Sequence, residues 1–354
     1  MTTWTTIDIN LNALTNNFSV VKALAPNKKV IAMIKANAYG HGLLPVAKAL
    51  NDADALGVAR LETAKQLRKA GVSQRIVLFG GCITLDVLKK AADLCCDIVV
   101  HHPFQIELIK QVSTSVRFSV FLKIDTGMGR LGFQPEQFLS AYKKLKVLPQ
   151  VSDVIVMTHF SDADDPKKAK TLEQINGFNK LTQSLDCEKS LANSAGILAF
   201  PESHADWVRP GIMLYGASPL VNKTGADHGL QPVMTVRSKV ISVKHFQKGQ
   251  TVGYSSTFVC PESMPIGVIG IGYGDGYPRV LAEGAKVLIG GKLCDIVGRV
   301  SMDMITVDLR KAADVNVNDD VVLWGEGLPA EWLAREANTI AYELFCSMAP
   351  RSSY

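Results

Sequence analysis

The sequence has little with which to staple or chelate. Its seven cysteines (Cys82, Cys95, Cys96, Cys187, Cys260, Cys294 and Cys346) are an odd number with no C-x-x-C spacing, which argues against a disulfide framework and a thiolate metal site. Reduced thiols, mostly packed as small apolar residues, are expected. No apolar run approaches membrane-spanning length, and the start, MTTWTTIDINL, has neither the basic nor the apolar segment of a secretory leader. These absences predict a cytoplasmic protein. The net charge of +5 is small and Lys and Arg are scattered, so no face for nucleic acid or a membrane is expected. A Walker-type phosphate loop is missing as well. The one glycine-dense stretch, Ile269 to Arg279, has alternating glycines out of the G-x-G-x-x-G register and reads as a tight loop presenting Tyr273. No fixed-period repeat or low-complexity tract occurs.

What is present, 47% hydrophobic and 20% charged, is the composition of a folded globular protein, and 354 residues exceed one ordinary core. The apolar positions Leu11, Leu14, Phe18, Val21 and Leu24 lie at helical spacing behind Asn10, a helix cap, and stop before Pro26. Val30 to Ile34 is a short, partly β-branched apolar run bounded by a Gly-containing turn, so it reads as a buried strand with Lys35 at its C-terminal end. Seven more such runs follow: Ala55–Ala59, Arg75–Gly80, Asp97–His102, Val120–Gly127, Asp153–Phe160, Ser190–Gly196 and Asp206–Ile212. Helical patterns separate most of them. Eight buried strands alternating with helices predict a (β/α)8 TIM-like barrel, whose active site lies at the strands' C-terminal ends. Reactive and polar residues do gather there: Lys35 and Tyr39, Arg60, Lys123 and Asp125, His159, Asn193 and Ser194, and Arg209.

Beyond Tyr215-Gly216 the pattern changes to strands without helices between them, with breaks at Lys248-Gly249 and Gly290-Gly291 that predict hairpins. The chain is therefore expected to divide into a barrel over residues 1–222 and an all-β domain over 223–354, joined by the loop GASPLVNKTGADHGLQP.

Single residues leave two readings open. A lysine after a strand is ordinarily a solvated head on a buried stem, but a partly desolvated amine has a lowered pKa and becomes a Schiff-base nucleophile. Arg209, in Arg209-Pro210-Gly211-Ile212, is either an ion-pair partner or a donor to a cofactor ring, and Gly211 would allow a phosphate to approach the backbone. Arg130 is a surface loop arginine or an anion binder. His159 is a loop residue or part of a site, whereas His101-His102 reads as plain loop for want of a carboxylate or thiolate at ligand spacing.

Taken together, VIAMIKANAYGHG, LKIDTGMGRLGF, THFSDAD, NSAG, RPGIMLYG, VGYSSTF, IGYGDGYPR, GRVSMDM and AYE resemble the alanine racemase family, pyridoxal 5'-phosphate enzymes of fold type III. The likeness runs along essentially the whole chain. It implies that Lys35 holds the cofactor as a Schiff base. By the same likeness Tyr39, Ser194, Gly211, Ile212 and Tyr342 hold its phosphate, Arg209 its pyridine nitrogen, and Arg130 and Met302 the carboxylate region of an alanine substrate. Tyr254 would be the second catalytic base, delivered from the other subunit of a head-to-tail homodimer and tuned through Arg209 and His159. Tyr273, Asp164, Arg279, Arg299 and Ile340 match an access corridor, and Lys123 matches a lysine that is carbamylated in some members. The implied product, D-alanine, is a peptidoglycan precursor. One departure is visible: the chain ends in SMAPRSSY without a clear Arg-Val-Pro segment, and fraying of Ser352, Ser353 and Tyr354 is expected.

Racemisation explains the residue types. One group must remove the Cα proton on one face and another must return a proton on the opposite face, and Lys35 and Tyr254 meet that need. An arginine cannot hand a proton to a pyridine nitrogen, so the ring is a weaker electron sink and side reactions are suppressed. Three other readings remain at this level. A fold-type-III decarboxylase would place a carboxylate where Arg209 stands, a racemase of broader or serine specificity would share every motif, and a non-catalytic cofactor-binding protein would not need Tyr254.

Overall fold

The computed structural model describes residues 4–348, so the expectation for Ser352, Ser353 and Tyr354 lies outside the described residues. Strand β1 (Thr6–Ile9) comes first, and then the helix Leu11–Leu24, whose first turn is capped by Asn10 Oδ1 accepting from the Ala13 N–H at 3.0 Å. The eight barrel strands follow: β2 (Lys29–Met33), β3 (Ala55–Val58), β4 (Ile76–Leu78), β5 (Cys96–Val100), β6 (Phe118–Lys123), β7 (Val151–Met157), β8 (Lys189–Asn193) and β9 (Trp207–Arg209). They pair in parallel in sequence order, and β9 closes on β2 through Lys29↔Trp207 and Val30↔Val208. Each is short and nearly wholly buried because helices cover the outside while side chains fill the inside; all six residues of β6 are buried. The expected run Ser190–Gly196 divides at Asn193, whose Oδ1 accepts from the Gly196 N–H at 2.9 Å and starts the helix Ser194–Ala199.

A polar network fills the end of the barrel away from the strands' C-termini. Arg75 is paired with Asp97 and donates to Ser119 Oγ at 2.6 Å, Ser119 donates to Asp153 at 2.7 Å, and the guanidinium lies 5.1 Å from the Trp207 ring. Its groups satisfy one another, the mark of a structural plug.

The second unit is built from β10 (Met234–Phe246), β11 (Thr251–Val252), β12 (Phe258–Val259), β13 (Met264–Ile269), β14 (Lys286–Ile289), β15 (Lys292–Val297), β16 (Ile305–Asp308) and β17 (Asp320–Trp324). The main sheet runs β1-β10-β13-β16-β15-β14-β17, and β17 pairs back with β10. Three details differ from the sequence reading. β1 pairs antiparallel with β10, Ile9↔Met234, so Thr6–Ile9 belong to this sheet and not to the barrel. Gly290-Gly291 does join a paired hairpin, Ile289↔Lys292, whereas the turn at Lys248-Gly249 leads from β10 into β11, which pairs with β12 instead. Two helices, Ala330–Glu336 and Ala341–Ser347, follow the last strand.

Both units grip the connection between them. Asn17 on the first helix donates to the carbonyls of Leu214 and Gln231 at 3.0 and 2.8 Å and accepts from the Gln231 N–H at 2.8 Å. Glu331 Oε1 accepts from the N–H groups of Ser218 and Gly225, each at 2.8 Å. Bonds to a buried carboxylate contribute about 1.5–3 kcal/mol each, enough to fix the two units' relative position. The seven cysteines are free, and four of them (Cys82, Cys96, Cys260 and Cys294) are buried. No helix among the described residues is long and apolar enough to cross a membrane.

Candidate active site

The C-terminal ends of the barrel strands open into a cavity of about 280 Å³, at the small end of the range for ligand pockets. Lys35, Lys123, Arg130 and Arg209 all line it, together with Tyr39, His159, Asn193, Ser194, Gly211 and Tyr342, and no carboxylate is among its lining residues. Four cations in one small space repel each other and call for an anion.

Lys35 ends the run of β2 and lies with its Nζ 6.0 Å from the Tyr39 ring. Solvent reaches Lys35 through the cavity mouth, but the walls crowd its amine. That partial burial, and after it the Arg130 charge, hold the amine below its ordinary pKa, while Cys346 acts in the opposite sense. After Lys35 the backbone makes a left-handed turn: Ala36, Asn37, Ala38 and Tyr39 have φ of 51°, 53°, 53° and 53°. Such a turn costs roughly 1–2 kcal/mol per non-glycine residue, so the surrounding fold must stabilise it.

The turn brings the Tyr39 hydroxyl against the segment after β9. A Cβ on Gly211 would lie 2.6 Å from that hydroxyl, which is why the position has no side chain. Ser194 Oγ accepts from the N–H groups of Gly211 and Met213 at 2.8 and 3.4 Å. Burial raises the pKa of both Tyr39 and Tyr342, so each hydroxyl stays protonated and able to donate. Ile212 is wholly buried and is not among the residues lining the cavity.

Arg209 is buried on the cavity floor. Nη1 donates to Ser190 Oγ at 2.6 Å and Nη2 to the carbonyls of Thr158 and Leu191 at 2.6 and 3.0 Å. These three bonds use three of its five N–H groups and leave two, one on Nε and one on Nη1. Burial pushes its pKa down to about 9, so it is still charged at neutral pH. His159 lies in the same cavity, yet no hydrogen bond joins it to Arg209. Burial first, and then the charges of Arg209, Lys123 and Arg130, push its pKa well below the ordinary value. It is a neutral imidazole, so any positive charge here comes from the guanidinium and not from the ring. Lys123 is buried, and desolvation followed by Arg209 and Arg130 lowers its pKa to about 8. Asp125, at the end of the same strand, would be raised by burial alone, but N–H groups from Gly127 and Gly129, at 3.0 and 3.1 Å, hold it below the usual range and shape the loop that carries Arg130.

The other sequence candidates lie elsewhere. Tyr254 is 69% exposed on the second unit, and Met302, Tyr273, Arg279 and Arg299 are exposed with it. They share one set of loops: Arg299 Nη1 donates to Ser255 Oγ at 3.1 Å, and the Tyr273 N–H donates to the Ser301 carbonyl at 3.1 Å. None of the five lines the cavity of its own chain. Asp164 and Ile340 meet at a recess that borders the cavity and shares Tyr342 with it. The residues matched to the cofactor are thus gathered and mostly buried, whereas those matched to a second subunit's contribution stand outside in solvent.

His101 and His102, adjacent in sequence, separate in the structure. His102 caps the helix Pro103–Ile109, its Nδ1 accepting from the Phe104 N–H at 3.3 Å. His101, at the end of β5, is near enough to Lys123 for that charge to add to burial in lowering its pKa.

The donors fit pyridoxal 5'-phosphate. Hydroxyls and backbone N–H groups converge where a Cβ at Gly211 would intrude, an amine of lowered pKa stands nearby, and a fixed guanidinium retains an N–H for an acceptor nitrogen. Comparisons with known proteins agree. Residues 9–219 match the model of the alanine racemase N-terminal domain and residues 233–354 that of the C-terminal domain. An alanine racemase of Coxiella burnetii is 46% identical over 99% of this chain and 98% of its own. A biosynthetic alanine racemase structure from Pseudomonas aeruginosa superposes with a TM-score of 0.96 at 38% identity, over 99% of this chain and 98% of its own. An alanine racemase structure from Bartonella henselae with covalently bound pyridoxal phosphate superposes with a TM-score of 0.88 at 28% identity, over 99% and 98%. In both halves of its sequence and along the whole of its fold, this chain belongs to the alanine racemase family of isomerases.

Proposed function

We propose that the chain interconverts L- and D-alanine with Lys35 and Tyr254 as acid/base groups on opposite faces of the substrate, Tyr254 coming from a second copy of the chain. The observation that carries this reading is the division of the site: a cation-rich cavity around Lys35 in the barrel, and an exposed Tyr254 on the second unit that does not reach that cavity in its own chain. Head-to-tail pairing of two copies completes both sites at once.

The Bartonella henselae relative carries covalently bound pyridoxal phosphate; held here through Lys35, that cofactor would supply an electron sink for the charge left when the Cα proton departs. Tyr39, Ser194, Tyr342 and the Gly211-Ile212 segment would hold its phosphate. Arg209 would offer a free N–H to the ring nitrogen without handing over a proton. Arg130, with Met302 of the second copy, receives the substrate carboxylate, and Asp164, Tyr273, Arg279, Arg299 and Ile340 line the approach. The Lys35 amine would take or return the proton on one face while Tyr254 does so on the other. Lys123 takes up carbon dioxide: its neutral amine bonds the carbon, one proton leaves, and a carbamate anion replaces a cation beside Arg130. The amine's lowered pKa supports this. D-alanine for peptidoglycan is the product assigned, in keeping with the biosynthetic relative from Pseudomonas aeruginosa.

Incubation with L-alanine is expected to drive the optical rotation to zero, with little response from other amino acids in a panel. Carbon dioxide release from basic amino acids without racemisation would overturn the reading.

The pH profile tests Lys35. As a base it works unprotonated, so turnover rises as pH increases through its pKa, which burial and Arg130 set below the ordinary value. Removing that charge in Arg130→Gln lets the pKa rise, and the acid-side limb of kcat is expected to move to higher pH, with KM raised separately. A limb that stays or moves down would exclude Lys35 as the group observed.

A further inference from the structure

We propose that His41 is a positioning residue for the reaction: it clasps the left-handed turn Ala36–Tyr39 and thereby sets Lys35 and the Tyr39 hydroxyl together. The inference rests on the reading of the site given above. The turn is closed by its own backbone, with the Ala38 N–H donating to the Ile34 carbonyl and the Gly40 N–H to the Ala36 carbonyl, each at 3.0 Å. Of its last carbonyls, that of Ala38 is also reached by the Gly40 N–H, while that of Tyr39 is left without a backbone partner inside the turn. His41 holds both. Nδ1 lies 2.8 Å from the Tyr39 carbonyl and 3.2 Å from the Ala38 carbonyl, and its own N–H donates to the Ala38 carbonyl at 3.0 Å. Two carbonyl acceptors require Nδ1 to carry the proton. Nε2 is then a bare acceptor, and it is buried with no partner among the described residues. Burial lowers the pKa to about 4, which keeps the ring in this neutral form.

The ring is itself keyed into the wall behind the cavity. It packs against Tyr215 at 4.5 Å and edge-on to Phe345 at 5.1 Å. The Tyr215 ring packs, tilted, against that of Tyr39 at 4.8 Å and its hydroxyl donates to the Met33 carbonyl, the end of β2, at 2.9 Å. A Cβ on Gly40 would lie 2.1 Å from the Phe345 carbonyl, so the C-terminal helix closes directly onto the turn. Asn37 fastens the far side, accepting from the Leu43 N–H at 2.9 Å. Lys35 and Tyr39 thus bracket a strained segment whose shape depends on one imidazole and on a helix from the other unit. Left to ordinary backbone preference the four residues would leave this conformation, and the amine and the hydroxyl would move apart.

Three variants decide it, all read as the rate at which the holoenzyme releases pyridoxal 5'-phosphate into excess trap, beside kcat, KM and Tm. Ala38→Gly relieves strain without touching the cavity; Tm is expected to rise by a few degrees while cofactor release speeds up about threefold to tenfold and kcat falls by a similar factor. A rise in Tm with release and kcat at wild-type values would overturn the proposal, as would no rise. His41→Leu removes the donor and is expected to speed release at least about tenfold, and His41→Asn, which keeps an N–H near the Nδ1 position, to restore most of that loss. Equal losses in the two would show that the site needs only a filled volume and would overturn it. If His41→Leu does not fold, Ala38→Gly decides alone. Wild-type enzyme that holds no pyridoxal 5'-phosphate would instead refute the reading of the site.

Discussion

Lys35→Ala is expected to lower turnover about ten-thousand-fold or more, the upper end of what one acid/base group contributes, because the covalent anchor is lost along with the base. The visible absorbance of the cofactor-loaded enzyme should vanish with it. Stability should not fall. Lys35 contributes one of four cations facing a cavity whose lining has no carboxylate, so its removal relieves repulsion and leaves the buried core untouched. An unchanged or higher Tm, measured by calorimetry beside the lost activity, separates this outcome from misfolding. A variant that retains more than about one part in a hundred of wild-type turnover would remove Lys35 from the chemistry.

Tyr254→Phe should behave differently. The side chain is 69% exposed, so deleting its hydroxyl should change stability by no more than about 0.5 kcal/mol. The visible absorbance should persist, since every group assigned to the cofactor is intact. Turnover should nevertheless drop by about 10²- to 10⁴-fold, the range for a single acid/base group. The loss should also be one-sided. Lys35 still serves its own face, so in deuterated water one enantiomer of alanine should continue to exchange its Cα hydrogen without inversion while the other does not. Unchanged turnover, or equal loss of exchange from both enantiomers, would refute the two-base assignment.

The barrel was legible because a parallel strand buried on both faces reads as an apolar run ended by a polar residue, and eight such runs fall in order from Val30 to Arg209. The same rule pointed to Lys35, Lys123, His159 and Arg209, which the fold brings into one cavity. Elements defined by distant partners were harder to read. β1 is four residues at an edge and finds β10 more than two hundred positions later, with nothing local to announce it. Lys248-Gly249 has the composition of a hairpin turn, but pairing depends on the register of strands and not on the turn alone. The left-handed turn was invisible for a different reason. Ala-Asn-Ala-Tyr favours no such conformation, and the shape is imposed by His41, Gly40 and the helix that ends near Ser347. The motif likeness supplied Tyr254, which no periodicity or spacing singles out. The geometry adds that Tyr254 stands in solvent, away from the cavity of its own chain.

The claim that each site is built from two chains is tested most directly by mixing. Lys35→Ala and Tyr254→Phe are each nearly inactive. Co-refolded in equal amounts they should give about half mixed dimers, and in each of those one site carries both changes while the other carries neither. Activity should therefore return to about a quarter of the wild-type value, against almost none for either variant alone. If Lys35 and Tyr254 act within one chain, no mixed dimer contains an intact site. A mixture as inactive as its parts, with mixed dimers demonstrated, would contradict the account.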